Sequence, residues 1–78
     1  MKFAVNIYTF TMYGYQDKVI LEDVVEADSP RAALEEVFAN YELACGCPRY
    51  VEEVFEETNE EFHAETGKFS FDVCPLNN

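Results

Sequence analysis

The sequence predicts an α+β fold, with two helices on one face of a three-stranded antiparallel sheet in the order ββααβ. Three observations carry this expectation. Two runs rich in β-branched and aromatic residues flank a glycine near the start of the chain. An Asp-Ser-Pro sequence then opens an apolar stripe of helical spacing. A strict alternation of apolar and polar residues closes the chain. The alternative order is ββαβββ, which arises if residues 61–66 form a hairpin with 69–74 instead of continuing a helix.

Residues 2–13, KFAVNIYTFTMY, read as the first strand. Phe3, Val5 and Ile7 fall on one face, with Tyr8, Phe10 and Met12 on the other. Gly14-Tyr15-Gln16-Asp17 supplies a turn, where Gly14 can take a positive φ. Residues 18–27, KVILEDVVEA, form the hairpin partner. Val19, Leu21, Asp23 and Val25 share one face, and Ile20, Glu22, Val24 and Glu26 share the other.

Asp28 or Ser29 can cap the helix that follows, and Pro30 suits its first position, where a missing N–H breaks no bond. Leu34, Val37, Phe38 and Tyr41 then recur at i, i+3, i+4 and i+7, a stripe that packs on the sheet. Gly46 is the expected stop and Pro48 the expected start of the next helix. In YVEEVFEETNEEFHAE, residues 50–65, apolar residues alternate with Glu52-Glu53, Glu56-Glu57 and Glu60-Glu61. This four-residue repeat is close to the helical period of about 3.6 and predicts a second, acidic helix ending at Gly67. Lys68 to Cys74, KFSFDVC, reads as a half-buried strand, with Phe69, Phe71 and Val73 inward and Lys68, Ser70 and Asp72 outward. Pro75 ends it, and residues 76–78 form a tail.

Composition bounds the function. Seventy-eight residues form one domain, 1–78, and the 49% of hydrophobic residues, with seven Phe and five Tyr, suffice for a small aromatic core. Sixteen Asp and Glu against five Lys and Arg give a formal net charge of −11. Such a chain should repel nucleic acid and anionic membranes and be drawn to basic surfaces. MKFAVNIYTF has one lysine and polar interruptions at Asn6 and Thr9, so neither a signal peptide nor a membrane span is expected, and the cytoplasm is the expected setting.

Cys45, Cys47, His63 and Cys74 could be written as a three-Cys, one-His zinc set, but C-x-C is not the usual knuckle spacing. Reduced, partly buried thiols are the expectation, with no metal and no cofactor. No catalytic constellation is expected either. His63 is the one histidine, the three glycines are isolated, and the acidic pairs lack a calcium-loop pattern.

Two binding functions remain. In the first, the carboxylates of Glu52, Glu53, Glu56, Glu57, Glu60 and Glu61 stand in for phosphates, with Glu22, Asp23 and Glu26 extending the field. Two carboxylates per helical turn of ~5.4 Å approach the one phosphate per ~3.4 Å of a DNA strand. The partner would be a basic, nucleic-acid-binding protein or complex, with no direct binding to nucleic acid or membrane. The chain's size, acidity and aromatic content resemble phage-encoded anti-CRISPR and anti-restriction proteins. That resemblance implies an inhibitor that blocks the nucleic-acid channel of a defence complex in the host cytoplasm. Separately, VVEADSPRAALEEVF is similar to the strand-to-helix junction of many small hairpin-plus-helix proteins of phage and mobile elements.

The second function is that of a protein–protein adaptor or structural dimer. If the helices cover only one sheet face, Tyr8, Phe10, Tyr13 and Tyr15, with Met12, form an aromatic patch on the other. Either function suits a monomer or a homodimer.

Overall fold

A computed structural model describes residues 1–76; the last two residues of the expected tail lie outside the described residues. Its elements are β1 (Lys2–Phe10), β2 (Gln16–Glu26), α1 (Pro30–Asn40), β3 (Glu53–Glu57), β4 (Phe62–Thr66) and β5 (Phe69–Pro75). The strands make one antiparallel sheet in the order β2-β1-β5-β4-β3. The three-stranded, two-helix arrangement is therefore incorrect. The chain is ββαβββ, with one short helix.

The first half follows its sequence pattern. Phe3, Val5 and Ile7 of β1 are fully buried under α1. Ser29 caps the helix by accepting from the Ala32 N–H at 3.1 Å, and Pro30 is its first residue. Leu34 and Val37 are buried, and the half-buried Phe38 ring meets Phe71 edge-on, with centroids 5.3 Å apart. The core is completed by Val25, Ala33, Phe62, Ala64 and Val73.

Two local details depart from the expected pattern. In β2, Ile7 pairs with Leu21 but Tyr8 pairs with Val19, so Ile20 is an extra residue. This bulge transfers Val19 to the face of Tyr8. The helix also stops well before Gly46, because Tyr41 turns to an extended conformation. The Arg49 guanidinium donates to the carbonyls of Phe38 and Tyr41, satisfying the end of α1 in place of a glycine cap.

Residues 50–66 are the main correction. They form an edge hairpin, not an acidic helix. Glu53 pairs with Glu65 and Val54 with Ala64, but Glu56 pairs with His63, so Phe55 is an extra residue. A regular strand places i and i+2 on one face. Across this bulge, residues 53 and 56 share one face and 54 and 57 the other. A spacing of three is also a helical spacing, which is why the glutamate doublets imitate an amphipathic helix.

Local contacts hold the hairpin. The Thr58 hydroxyl accepts from the backbone N–H of Glu60 and Glu61 at 3.1 and 2.9 Å, closing the β3–β4 turn. Gly67, at φ 58°, begins the two-residue loop between Thr66 and Phe69, a position that favours glycine. Arg31 of α1 makes two bonds to Glu57, at 2.7 and 3.0 Å, while its guanidinium lies 4.7 Å from the Phe62 ring centroid. Burying Phe62 and Ala64 against the core favours the strand over a helix, whose opposite face would present only glutamates.

Candidate functional site on the open sheet face

The single helix covers one face of the sheet. On the other face the alternation of β1, β4 and β5 presents Ala4, Asn6 and Tyr8; Glu61, His63 and Glu65; and Ser70, Asp72 and Cys74. The edges add Val19, Glu22 and Val24 from β2 and Glu53 and Glu56 from β3. The two halves of this face differ. The β2–β1 half is largely apolar and aromatic, and the β5–β4–β3 half is acidic around one histidine.

His63 is the centre of the acidic half. It pairs with Asp72 across β4–β5, and its Nδ1 lies 2.8 Å from Asp72 Oδ1. Its Nε2 lies 2.8 Å from Glu61 Oε1 and 3.6 Å from Glu56 Oε1. The Tyr8 hydroxyl donates to the other Asp72 oxygen at 2.8 Å. Carried one step past Phe62–Val73, the β4–β5 register sets Glu61 opposite Cys74, and their Oε1 and Sγ atoms are 4.0 Å apart.

The protonation states follow from these contacts. Hydrogen bonds to Asp72 and then Glu61 raise the His63 pKa, outweighing the opposite effect of burial. Burial raises the Cys74 pKa, and the carboxylates of Glu61, Asp72 and Glu56 push it further up. Cys74 is thus a poor nucleophile on its own, which weighs against a Cys-His catalytic pair. A Ser70 hydrogen bond favours the Tyr8 phenolate, but burial and Asp72 outweigh it and keep the hydroxyl as a donor. Burial, then Glu53 and Asp72, raise the Glu65 pKa as well.

The other acidic residues singled out in the sequence are dispersed. Glu57 lies on the helix side with Arg31, and Glu52 Oε1 accepts from the Gly67 N–H at 3.1 Å. Glu60 lies in the β3–β4 turn. Asp23 Oδ1 accepts from the Val24 N–H at 2.7 Å, and Glu26 lies 3.6 Å from the N-terminal amine. Of the predicted set, Glu22, Glu26, Glu53, Glu56 and Glu61 face the open side, with Glu26 at its far end beside the N-terminal amine. The linear charge density expected of a helix does not form.

The aromatic set divides differently. Tyr8 and Phe10 are half-buried on the open face, while Met12, Tyr13 and Tyr15 stand out of the β1–β2 turn at 89%, 79% and 72% exposure. That turn is ordered by Thr11. Its backbone N–H donates to the Tyr15 carbonyl at 2.8 Å, and its hydroxyl accepts from the Tyr13 and Tyr15 N–H groups at 3.2 and 3.3 Å. Gly14, at φ 84°, completes it.

Asp72 and Glu65 were not singled out in the sequence, and Cys74 entered only the zinc set that its spacing disfavoured. The signal was present in KFSFDVC, where every second residue points away from the core. Its meaning depended on which strand lay alongside. Cys45 and Cys47 do not join Cys74: Cys45 is exposed, and Cys47 packs at the edge of the core, where burial raises its pKa against the pull of Arg49.

A second concavity of about 420 Å³ lies between α1 and residues 49–51. Of its two cations, Arg31 is paired with Glu57, and Arg49 has donors committed to the carbonyls at the end of α1. No known protein family, curated protein or solved structure matches this chain. No helix among the described residues is long and apolar enough to cross a membrane.

Proposed function

We propose that this protein is a protein–protein interaction module, an adaptor that takes a partner on its open sheet face and β1–β2 tip. Met12, Tyr13 and Tyr15 are the anchors, continued onto the sheet by Phe10, Tyr8 and Val19. The partner is a protein whose matching surface is apolar at its centre and basic at its rim. The observation that carries this reading is the uncovered face itself, joined to three large exposed side chains on an ordered turn. Large apolar groups seldom cluster on a surface without a partner, and Tyr and Met are enriched where proteins meet. A turn already fixed by Thr11 loses little freedom on binding.

Charge favours a foreign partner over a second copy. At −11 per chain, two copies would bring like-charged faces together, whereas a basic rim would be attracted. Three free cysteines support a reducing, cytoplasmic setting. Nucleic-acid mimicry is the second reading, supported by Glu53, Glu56, Glu61, Glu65 and Asp72 on one half of the open face. Its partner would be a basic nucleic-acid-binding complex of the kind that anti-CRISPR proteins block.

The two readings separate by salt and competition. A partner captured from cell extract by wild type should bind a Met12→Ser/Tyr13→Ser/Tyr15→Ser variant at least ~10-fold more weakly, a change of about 1.4 kcal/mol. It should also tolerate moderate salt. Equal binding by the variant, with steep salt sensitivity and competition from DNA or RNA, would transfer the function to the carboxylates. A dimeric mass for the isolated chain, abolished by the same substitutions, would make the face a homodimer interface instead.

A further inference from the structure

We propose that Glu61, His63 and Cys74 form a binding site for a divalent transition metal of the zinc class, with Glu56 as a fourth ligand. One ligating atom from each of Glu61, His63 and Cys74 lies within 4.8 Å of the other two. The site is half-buried at the β4–β5 end of the open face, away from the β1–β2 tip. It is independent of the protein-binding reading above.

Asp72, 2.8 Å from His63 Nδ1, fixes Nδ1 as the donor. Nε2 is then directed at Glu61 Oε1, 2.8 Å away, and at Glu56 Oε1, 3.6 Å away, with the Cys74 sulfur 4.0 Å from the same Glu61 oxygen. Three groups that can act as electron donors to a cation thus converge, and Glu56 stands 3.6 Å from Nε2. Without a metal, a proton on Nε2 serves Glu61 and Glu56, and the Cys74 thiol donates to Glu61. A tetrahedral cation would replace both protons and draw on the same three donors, with Glu56 in reach of the fourth position.

The dimensions fit. Metal–ligand lengths of about 2.0–2.3 Å place tetrahedral donors about 3.3–3.8 Å apart. The Nε2–Glu61, Nε2–Glu56 and Cys74–Glu61 separations of 2.8, 3.6 and 4.0 Å bracket that range, and Glu56 and Glu61 are exposed enough to adjust. The donor set selects the ion class: a thiolate and an imidazole favour zinc, cobalt or a neighbouring transition metal over calcium or magnesium, which prefer oxygen. The surroundings supply the usual outer support. Asp72 holds the histidine through Nδ1, and Tyr8 holds Asp72 through its second oxygen, 2.8 Å away. Binding forms the metal–sulfur and metal–Nε2 bonds as the Cys74 thiol proton and the proton on His63 Nε2 pass to solvent, with no change of oxidation state.

Cobalt(II) and zinc(II), each added alone to reduced protein, test the site. Cobalt should give a thiolate-to-metal charge-transfer band and tetrahedral visible bands at one ion per chain, and zinc should displace it. Cys74→Ser should abolish the charge-transfer band. His63→Gln should weaken zinc binding at least ~10-fold, and Asp72→Asn, a positioning residue, about 10–100-fold. Cys45→Ser should leave both signals intact. A weak octahedral cobalt spectrum without a sulfur band on the wild-type protein would overturn the proposal, whatever the variants do. So would zinc affinity unchanged in Cys74→Ser or His63→Gln.

Discussion

The two faces of this sheet are made by alternate residues of the same strands, yet they have almost nothing in common. Beneath α1, Phe3, Val5, Ile7, Phe62, Ala64, Phe71 and Val73 are buried, and the Arg31–Glu57 pair lies at their rim over Phe62. On the opposite face, Tyr8, His63 and Asp72, one or two residues away in the chain, join a hydrogen-bonded polar network. In a molecule this small, one dry layer supplies most of the burial that folding requires. The second face is then free to be polar, charged and partly apolar. If the open face binds as proposed, substitutions one residue apart should alter stability and binding separately.

The sharpest way to break that separation is to remove an aromatic ring from the covered face. Phe71 and Phe62 are fully buried, so Phe71→Ala or Phe62→Ala should destabilise the protein by about 3–5 kcal/mol in denaturant titrations. The same truncation at half-buried Phe38 should have a smaller effect. Losses below ~1 kcal/mol for Phe71 and Phe62 would mean that the covered face does not carry the stability.

The open face contributes to stability through ionisation. The His63 pKa is raised in the folded state by Asp72 and then Glu61. A raised folded value means that this stabilisation is fully present below the unfolded histidine pKa of about 6.5 and is lost as pH rises through the folded value. Chelator-treated protein should therefore lose a small part of its stability on going upward from about pH 6.5. His63→Gln should flatten that slope, as read from Tm against pH. An unchanged slope in the variant would remove His63 from the account of the open face.

How much of this was legible in the sequence depends on the element. Ser29-Pro30, the Leu34–Val37–Phe38 stripe and the alternation of Phe69, Phe71 and Val73 each state a local preference that packing then obeys. Residues 50–66 do not. Their doublets admit a helix or a bulged strand, and the choice was made by packing: Ala64 and Phe62 pair with Phe71 and Val73 of β5 and bury in the core. The bulges at Phe55 and Ile20 are both set by strand pairing, which a segment's own periodicity does not show, so that periodicity placed Val19 and the glutamates on the wrong faces. The site was legible only in part for the same reason. His63 and the outward alternation of Asp72 were visible, but their contact exists only once β4 and β5 are paired in register. Tyr13 and Tyr15 were expected to be exposed with Tyr8, Phe10 and Met12 if only one sheet face were covered, and their exposure is found on the β1–β2 turn instead of on a strand.

The central claim is that the open face and its tip bind while the covered face holds the fold. Its most direct test measures, on one Met12→Ser/Tyr13→Ser/Tyr15→Ser protein, both the unfolding free energy and the affinity for the captured partner. All three side chains are more than two-thirds exposed, so stability should change by no more than ~0.5 kcal/mol. Partner affinity should fall at least ~10-fold, about 1.4 kcal/mol. Unaltered affinity, or a loss of binding matched by an equal loss of stability, would contradict the account.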